Sequence, residues 1–399
     1  WPMGTIILWG VTASPFQLKM QSLLDYAQQP WQRWPEQGGR LAVLTMALRL
    51  ERAKRRGEVR RHPAMSPALD EYPTVPFYMR DGRIFYYDSS ALADDLDQQN
   101  EGLTPSLVPA DPAQAFICRL IDEAFDEFGL YMVHHMRWVG AARSTRMGIM
   151  TAREFRSLLL PGMGGLFSRR MCRRQVARCP YLFSVAPEGF SAGVSPQRTP
   201  PARQDFPPTH ALLDDAWRGH LAATERVLSA QTYLLGERFT LADASAYGQL
   251  SMNLADPEAC DLMKQLAPLT HTWLCSIRDG NHIGAAGELT LSGALRPLLG
   301  MIGETFLPLM VQNEQAYEAA FAQGETCFNE AAFGRDQSLY NGQLLGYPFR
   351  SVVKTFQVRV WRELKRQWQA LDEARREQLA VLFPLGSVAC LDGLALEPA

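Results

Sequence analysis

The sequence predicts an α+β chain, with a small mixed β-sheet domain at the N-terminus and helices from there to the C-terminus. Residues 5–10, Thr-Ile-Ile-Leu-Trp-Gly, form a β-rich run ended by glycine, and Ser14-Pro15 then opens a helical pattern through Leu18, Met20, Leu23, Leu24 and Tyr26. Residues 75–79 and 84–87 flank Arg80-Asp81-Gly82-Arg83 and read as a hairpin with an Asp-Gly turn. Beyond residue 112 the apolar side chains recur at helical spacing, not in alternation.

Taken in order, the first strand and helix are followed by residues 38–62, where a helical-looking stretch from Leu41 to Leu48 runs into Glu51-Arg52-Ala53-Lys54-Arg55-Arg56. Asp88-Ser89-Ser90 supplies an N-cap for a helix carrying Ala91, Leu92 and Leu96. A four-stranded mixed sheet with flanking helices is therefore expected up to about residue 98. A turn-rich segment from Asn100 to Pro112 marks a domain boundary. Past it, Ile117, Leu120, Ile121, Ala124, Phe128, Tyr131 and Met132 form one helical stripe, with Asp122, Glu123, Asp126 and Glu127 mostly off it. Residues 186–208 are rich in Pro, Gly and Ser and read as a long loop. Thr240-Leu241-Ala242-Asp243 is a capping-box pattern opening a helix of small residues, Ala242, Ala244, Ser245, Ala246 and Gly248, suited to close packing. After Gly280 the chain again reads as helical. Val353, Phe356, Val360, Leu364 and Trp368 form a stripe that needs an apolar partner, so residues 281–399 are expected to pack on the helical domain at 112–280.

With 399 residues, 47% hydrophobic and 21% charged, the chain has enough apolar surface to order more than one domain. A formal net charge of -2 gives no global drive toward nucleic acid or anionic lipid, and neither is expected as a partner. The cysteines, at 118, 172, 179, 260, 275, 327 and 390, are scattered and make no CxxC pair. They read as reduced thiols of a cytoplasmic protein, with no metal site expected. No secretory leader is apparent, and no apolar run approaches the roughly 20 residues a membrane span needs.

In this order the motifs resemble the cytosolic glutathione transferase superfamily. Ser14-Pro15-Phe16 follows the first strand, Val75-Pro76 precedes the hairpin, and Asp88-Ser89 opens a helix. The run Tyr233-Leu234-Leu235-Gly236-Glu237-Arg238-Phe239-Thr240-Leu241-Ala242-Asp243-Ala244 comes last. The resemblance covers roughly residues 5–278. It implies a thioredoxin-like glutathione-binding domain at 1–98, a transferase-type helical domain at 112–280, and a helical extension at 281–399 without a counterpart in a compact transferase. Ser14 and Pro76 are further apart than the family pattern, which implies an insertion near 36–62.

A glutathione enzyme must stabilise a thiolate whose unperturbed pKa is near 8.5. Ser14, just ahead of a helix, can donate to the sulfur while the helix dipole favours negative charge. Its plainer role is that of an N-cap, and Thr12 is the rival donor. The resemblance makes Val75-Pro76 a cis-proline turn pairing with the cysteinyl unit. Phe16, beside Ser14 in the loop after the first strand, is also implied as a glutathione-binding residue. Asp88 and Ser89 would hold the γ-glutamyl end through a carboxylate, a hydroxyl and helix amides, although both also suit simple capping. No cysteine occupies the loop, which disfavours a mixed-disulfide mechanism. Tyr131, His135 and Trp138 are candidates for the second-substrate pocket, against ordinary core placement. The basic runs at 49–61 and 169–174 read first as solvated faces, and second as a seat for an anionic group.

The function expected from these residues is activation of glutathione for attack on a hydrophobic electrophile by a homodimeric enzyme. The alternatives are a glutathione-dependent isomerase, dehalogenase or ether-cleaving lyase, and a binding or scaffold protein on the same fold.

Overall fold

The computed structural model describes residues 4–61, 69, 75–80, 82–99, 105–194 and 201–393. The N-terminal part runs β1 (Ile6–Trp9), α1 (Pro15–Tyr26), β2 (Trp31–Trp34), α2 (Arg40–Arg56), β3 (Phe77–Met79) and α3 (Ser89–Gln99). β1 is central, parallel to β2 with Ile6 opposite Trp31, and antiparallel to β3 with Leu8 opposite Tyr78. Alternation along β1 divides the core in two. Ile6 and Leu8 join a large cluster with Met20, Leu23 and Leu24 of α1, whereas Ile7 and Trp9 join Val43, Met46 and Leu50 of α2 on the other face.

Among the described residues the sheet has three strands, not the four expected. The second arm of the predicted hairpin shrinks to a bridge at Tyr86, whose amide and carbonyl pair with Tyr78 at 2.8 Å while its other edge meets Arg60. Two residues later Asp88 takes φ 77° and turns the chain out of the sheet, which ends the pairing. Asp81, in the predicted turn, lies outside the described residues. β2 was not legible in the sequence, while the segment near 36–62 contains the regular helix α2. Val75-Pro76 is cis, as is Trp34-Pro35.

The helical part contains α4 (Pro112–Ala124), α5 (Leu130–His135), α6 (Met147–Glu154), α7 (Gly164–Ala177), α8 (His210–Ala230), α9 (Leu241–Leu250), α10 (Pro257–Leu266) and α11 (Pro268–Arg278). α4 and α5 belong to one long helix interrupted by π-turns at Phe125–Gly129 and Met136–Gly140. α9 is buried along its whole length behind its capping box: the Thr240 amide donates to Asp243 at 2.9 Å, and the other Asp243 oxygen accepts from the Leu234 amide at 2.7 Å. Gly248 lets α1 approach closely, since a Cβ there would lie 2.6 Å from the Pro15 carbonyl oxygen.

The last part comprises α12 (Arg296–Glu304), α13 (Phe306–Ala322), α14 (Asn329–Phe333), β4 (Leu339–Leu344), β5 (Tyr347–Val352), α15 (Thr355–Gln369) and α16 (Glu373–Ala380). The all-helical expectation is corrected here by the β4–β5 hairpin. Leu345 and Gly346 have φ of 48° and 79°, the pair of positive angles that matches a tight hairpin to the strand twist. The segment also joins the large cluster: Trp368 meets Phe116 of α4 at 5.2 Å between ring centroids, and Leu298, Leu299 and Phe306 are fully buried. Of the predicted stripe, Val353, Val360, Leu364 and Trp368 are buried, and Phe356 is half-buried.

Residues Gly293–Ala322 are together long and apolar enough to cross a membrane by length and composition, contrary to the reading of the sequence. In this fold they are a broken pair of core helices. The helix breaks at Thr305, Asn313 binds the Lys354 backbone on both sides at 2.9 Å, and Glu314 pairs with Lys365 at 2.6 Å and Arg362 at 2.9 Å.

Candidate active-site cleft

A cleft with about 370 Å³ of open space lies where the N-terminal sheet domain, the long α4–α5 helix, α7 and α15 meet. That size suits a small-molecule ligand. Ser14, Phe16, Val75, Pro76, Asp88 and Ser89 all line it. Ser14 has extended backbone angles immediately before α1, whose first residue is Pro15, and its side chain makes no capping hydrogen bond. The bland N-cap role is therefore unfilled. The hydroxyl sits at the positive end of a twelve-residue helix. Thr12 is engaged elsewhere: its amide donates to Glu154 at 3.0 Å and its hydroxyl bonds the same carboxylate.

Asp88 is more heavily committed than the sequence implied. One carboxylate oxygen accepts from the Ser90 and Ala91 amides at 3.0 and 3.1 Å and caps α3. The other pairs with the Arg61 guanidinium, and Arg359 of α15 stands 3.7 Å away. Burial pushes this carboxyl up, but Arg61 and Arg359 outweigh it and hold Asp88 well below the usual carboxylate range. Arg61, from the first basic run, thus reaches the cleft corner, where it and Arg359 both face Asp88.

Behind this corner, Lys19 is buried and bonded to Asp122 at 2.5 Å, Asp126 at 2.6 Å and the Ser90 hydroxyl at 2.8 Å. Ser245 of α9 donates to Asp122 as well. Burial lowers the Lys19 pKa, but the two carboxylates outweigh it, so the ammonium stays charged. The network joins α1, α3, α4 and α9 beneath the cleft.

Residues 212–279 match the sequence profile of the glutathione S-transferase C-terminal domain. No curated protein matches the sequence. Among solved structures, a glutathione S-transferase of Ceriporiopsis subvermispora in complex with glutathione is similar at 18% identity and a TM-score of 0.41, over 70% of this chain and 99% of that one. The beta-etherase LigF of Sphingobium sp. strain SYK-6 is similar at 16% identity and 0.41, over 69% and 98%. FzlA of C. crescentus is similar at 14% identity and 0.35, over 74% and 92%. Likenesses of this size carry neither a ligand nor an activity to this chain.

On the helical side, the cleft wall is a stripe of one long helix: Glu123, Glu127, Leu130, His134 and Trp138. Trp138 lines the cleft as the sequence suggested. Tyr131 and His135 do not. Tyr131 turns into the core, where its hydroxyl meets Lys354 and accepts from Gln357 at 2.8 Å, and its ring stacks on Phe183. His135 bonds Ser184 at 2.7 Å and packs on His210. His134 takes the cleft position, held by Gln175 at 3.3 Å, and burial pulls its pKa down to about 3, so its ring is neutral near pH 7. On α7 Arg174 faces the cleft, while Arg178 is tied bidentately to Glu330 at 2.9 Å.

The acidic residues of the wall are the largest surprise. Burial raises Glu127 to about 7 against the opposing pull of Gln357 and Arg359, raises Asp126 to about 7 against Lys19, and raises Glu123 well above its ordinary value. Sequence reasoning left these residues off the apolar stripe. The signal that could have found them is their density, four carboxylates in six residues of an otherwise apolar helix. Arg359 and Phe356, which close the cleft from α15, had no local signal as site residues. Among the described residues no cluster of potential ligands for a metal ion is present.

Proposed function

We propose that the protein is a glutathione transferase-type enzyme, binding glutathione at the Ser14–Pro76–Ser89 wall and an electrophile in the apolar half of the cleft toward Trp138. The observation that carries this reading is the Ser14 hydroxyl. It lines the cleft at the N-terminus of α1, uncommitted to capping, while the rival Thr12 is bound to Glu154. A donor and a helix N-terminus are what a thiolate needs. Val75 and Pro76 offer main-chain groups beside it. Ser89 at the start of α3, with Arg61 and Arg359 near it, suits the γ-glutamyl carboxylate.

The resemblance of the sequence motifs to the transferase family and the match over 212–279 both support glutathione as the cosubstrate. The same reading divides the chain at about 98, 112 and 280, sets it in the cytoplasm and makes it a homodimer. Sedimentation as a monomer at micromolar concentration would remove the dimer alone.

Capture on immobilised glutathione, together with consumption of free thiol in the presence of a generic electrophile, tests the enzyme. Capture with turnover is expected. Capture without turnover would leave a binding protein, and neither would sink the reading.

A further inference from the structure

The wall helix changes character along its length. Glu123 and Glu127 stand toward the Asp88–Arg359 corner, and Leu130, His134 and Trp138 continue into the apolar half, so Glu127 is the last carboxylate of the stripe before the apolar wall. Glu123 lies one turn back at that corner, further from the apolar half, and the remaining acidic groups around Glu127 are committed. Asp88 is held by Arg61 and its own capping bonds, Asp126 by Lys19 at 2.6 Å, and Glu330 by Arg178 at 2.9 Å. His134 is a neutral ring bonded to Gln175. Glu127 forms no ion pair among the described residues. Arg359, the cation that acts on it most, pairs with Asp88 and Glu363 instead, and the neutral amide of Gln357, which lowers the Glu127 pKa, donates to the Tyr131 hydroxyl.

We propose that Glu127 carries the proton of the glutathione reaction, and that the second substrate is an electrophile whose oxygen must be protonated as the bond to sulfur forms, such as an epoxide or an ether. This rests on the transferase reading above. As glutathione binds, the Glu127 carboxylate takes the thiol proton and the Ser14 hydroxyl donates to the resulting sulfur anion. The sulfur electron pair forms the C–S bond, the C–O bond breaks with its pair passing to oxygen, and the Glu127 carboxylic acid returns the same proton to that oxygen. Glu127 ends as it began, and no oxidant or reductant is needed. A halide leaves as an anion and has no use for the second transfer.

A carboxyl titrating near neutrality is suited to both steps. The groups that set it are Arg359 and Lys354 at α15, Asp88 ahead of α3, and Glu123, Asp126 and Tyr131 on its own helix. Burial raises it most, Gln357, Arg359 and Lys354 lower it, and Asp88 raises it.

The test compares the full-length protein with Glu127→Gln, using glutathione with an aryl epoxide and with chlorodinitrobenzene across a pH series. With the epoxide the variant should lose about 100-fold or more in kcat up to neutral pH, a larger loss than with the aryl halide, and the deficit should shrink above about 8.5, where the thiol proton goes to solvent in both proteins. With the aryl halide the loss should be confined to neutral pH and recover above about 8.5, where the thiol ionises to solvent unaided. Equal losses for the two electrophiles across the series, or no loss with the epoxide, would overturn the inference. Glutathione affinity is measured in parallel. If the wild-type chain neither binds glutathione nor consumes it with either electrophile, the transferase reading falls and takes this one with it, an outcome distinct from binding and turnover that ignore Glu127.

Discussion

At the scale of single residues, Ser14 and Thr12 look interchangeable in the sequence and are not in the structure. Ser14→Ala should lower the rate of thiol conjugation by about 100-fold, the cost of losing one donor to a developing anion, while leaving the melting temperature nearly unchanged. Thr12→Val should do the reverse. It removes the hydroxyl donor from one Glu154 oxygen while the amide still holds the other, and costs about 1–3 kcal/mol in chemical denaturation, with little effect on turnover at saturating substrate. Glu127 also has a stability signature. Its pKa is raised on folding from 4.5 to about 7, so its contribution is fully present below pH 4.5 and is lost as pH rises through 7. Relative to wild type, Glu127→Gln should therefore become more stable between pH 4.5 and 7, by a difference of up to about 3 kcal/mol. Parallel denaturation curves at pH 5 and pH 8 check this; a constant difference would show that the carboxyl is not perturbed by burial.

At the scale of elements, the packing of α1 on α9 rests on one glycine and one ionic network. Gly248→Ala would push a methyl group into the Pro15 carbonyl and should destabilise by about 1–3 kcal/mol, seen as a lower denaturation midpoint. Lys19→Met would leave Asp122 and Asp126 buried without their cation and should cost about 3–5 kcal/mol, with much of the loss recovered when both aspartates are also replaced by apolar residues. These elements also show what can be read from a sequence. β1, α1, α2, α3 and α9 carry their signals locally, in a β-rich run, a proline at the first helical position, amphipathic spacing or a capping box. Ser14, Val75, Pro76, Asp88 and Ser89 lie at such starts and turns, which is why they could be named. β2 is four residues without alternation, and the β4–β5 turn uses Leu-Gly where Asn-Gly would have announced it. Glu123 and Glu127 could not be placed because charges off an apolar stripe ordinarily face water. Here a second surface, α15, arrives from far along the chain to cover them. Tyr131 fails for the complementary reason: it was on the stripe, and its hydroxyl found Lys354 and Gln357 inside the core.

At the scale of the whole molecule, residues 281–393 share the large apolar cluster of the helical part and supply Arg359 and Phe356 to the cleft. Trp368→Ala should cost about 3–5 kcal/mol, because its buried ring packs on Phe116 of α4. These scales meet at the cleft, which by the proposal takes glutathione and holds its sulfur as the thiolate. The most direct measurement is the ultraviolet absorbance of thiolate as glutathione is titrated into the full-length protein at a series of pH values. Saturable binding should bring thiolate absorbance at a pH well below about 8.5, the value for a free thiol. Bound glutathione that ionises no more readily than free glutathione, or the absence of saturable binding at millimolar concentration, would contradict the account.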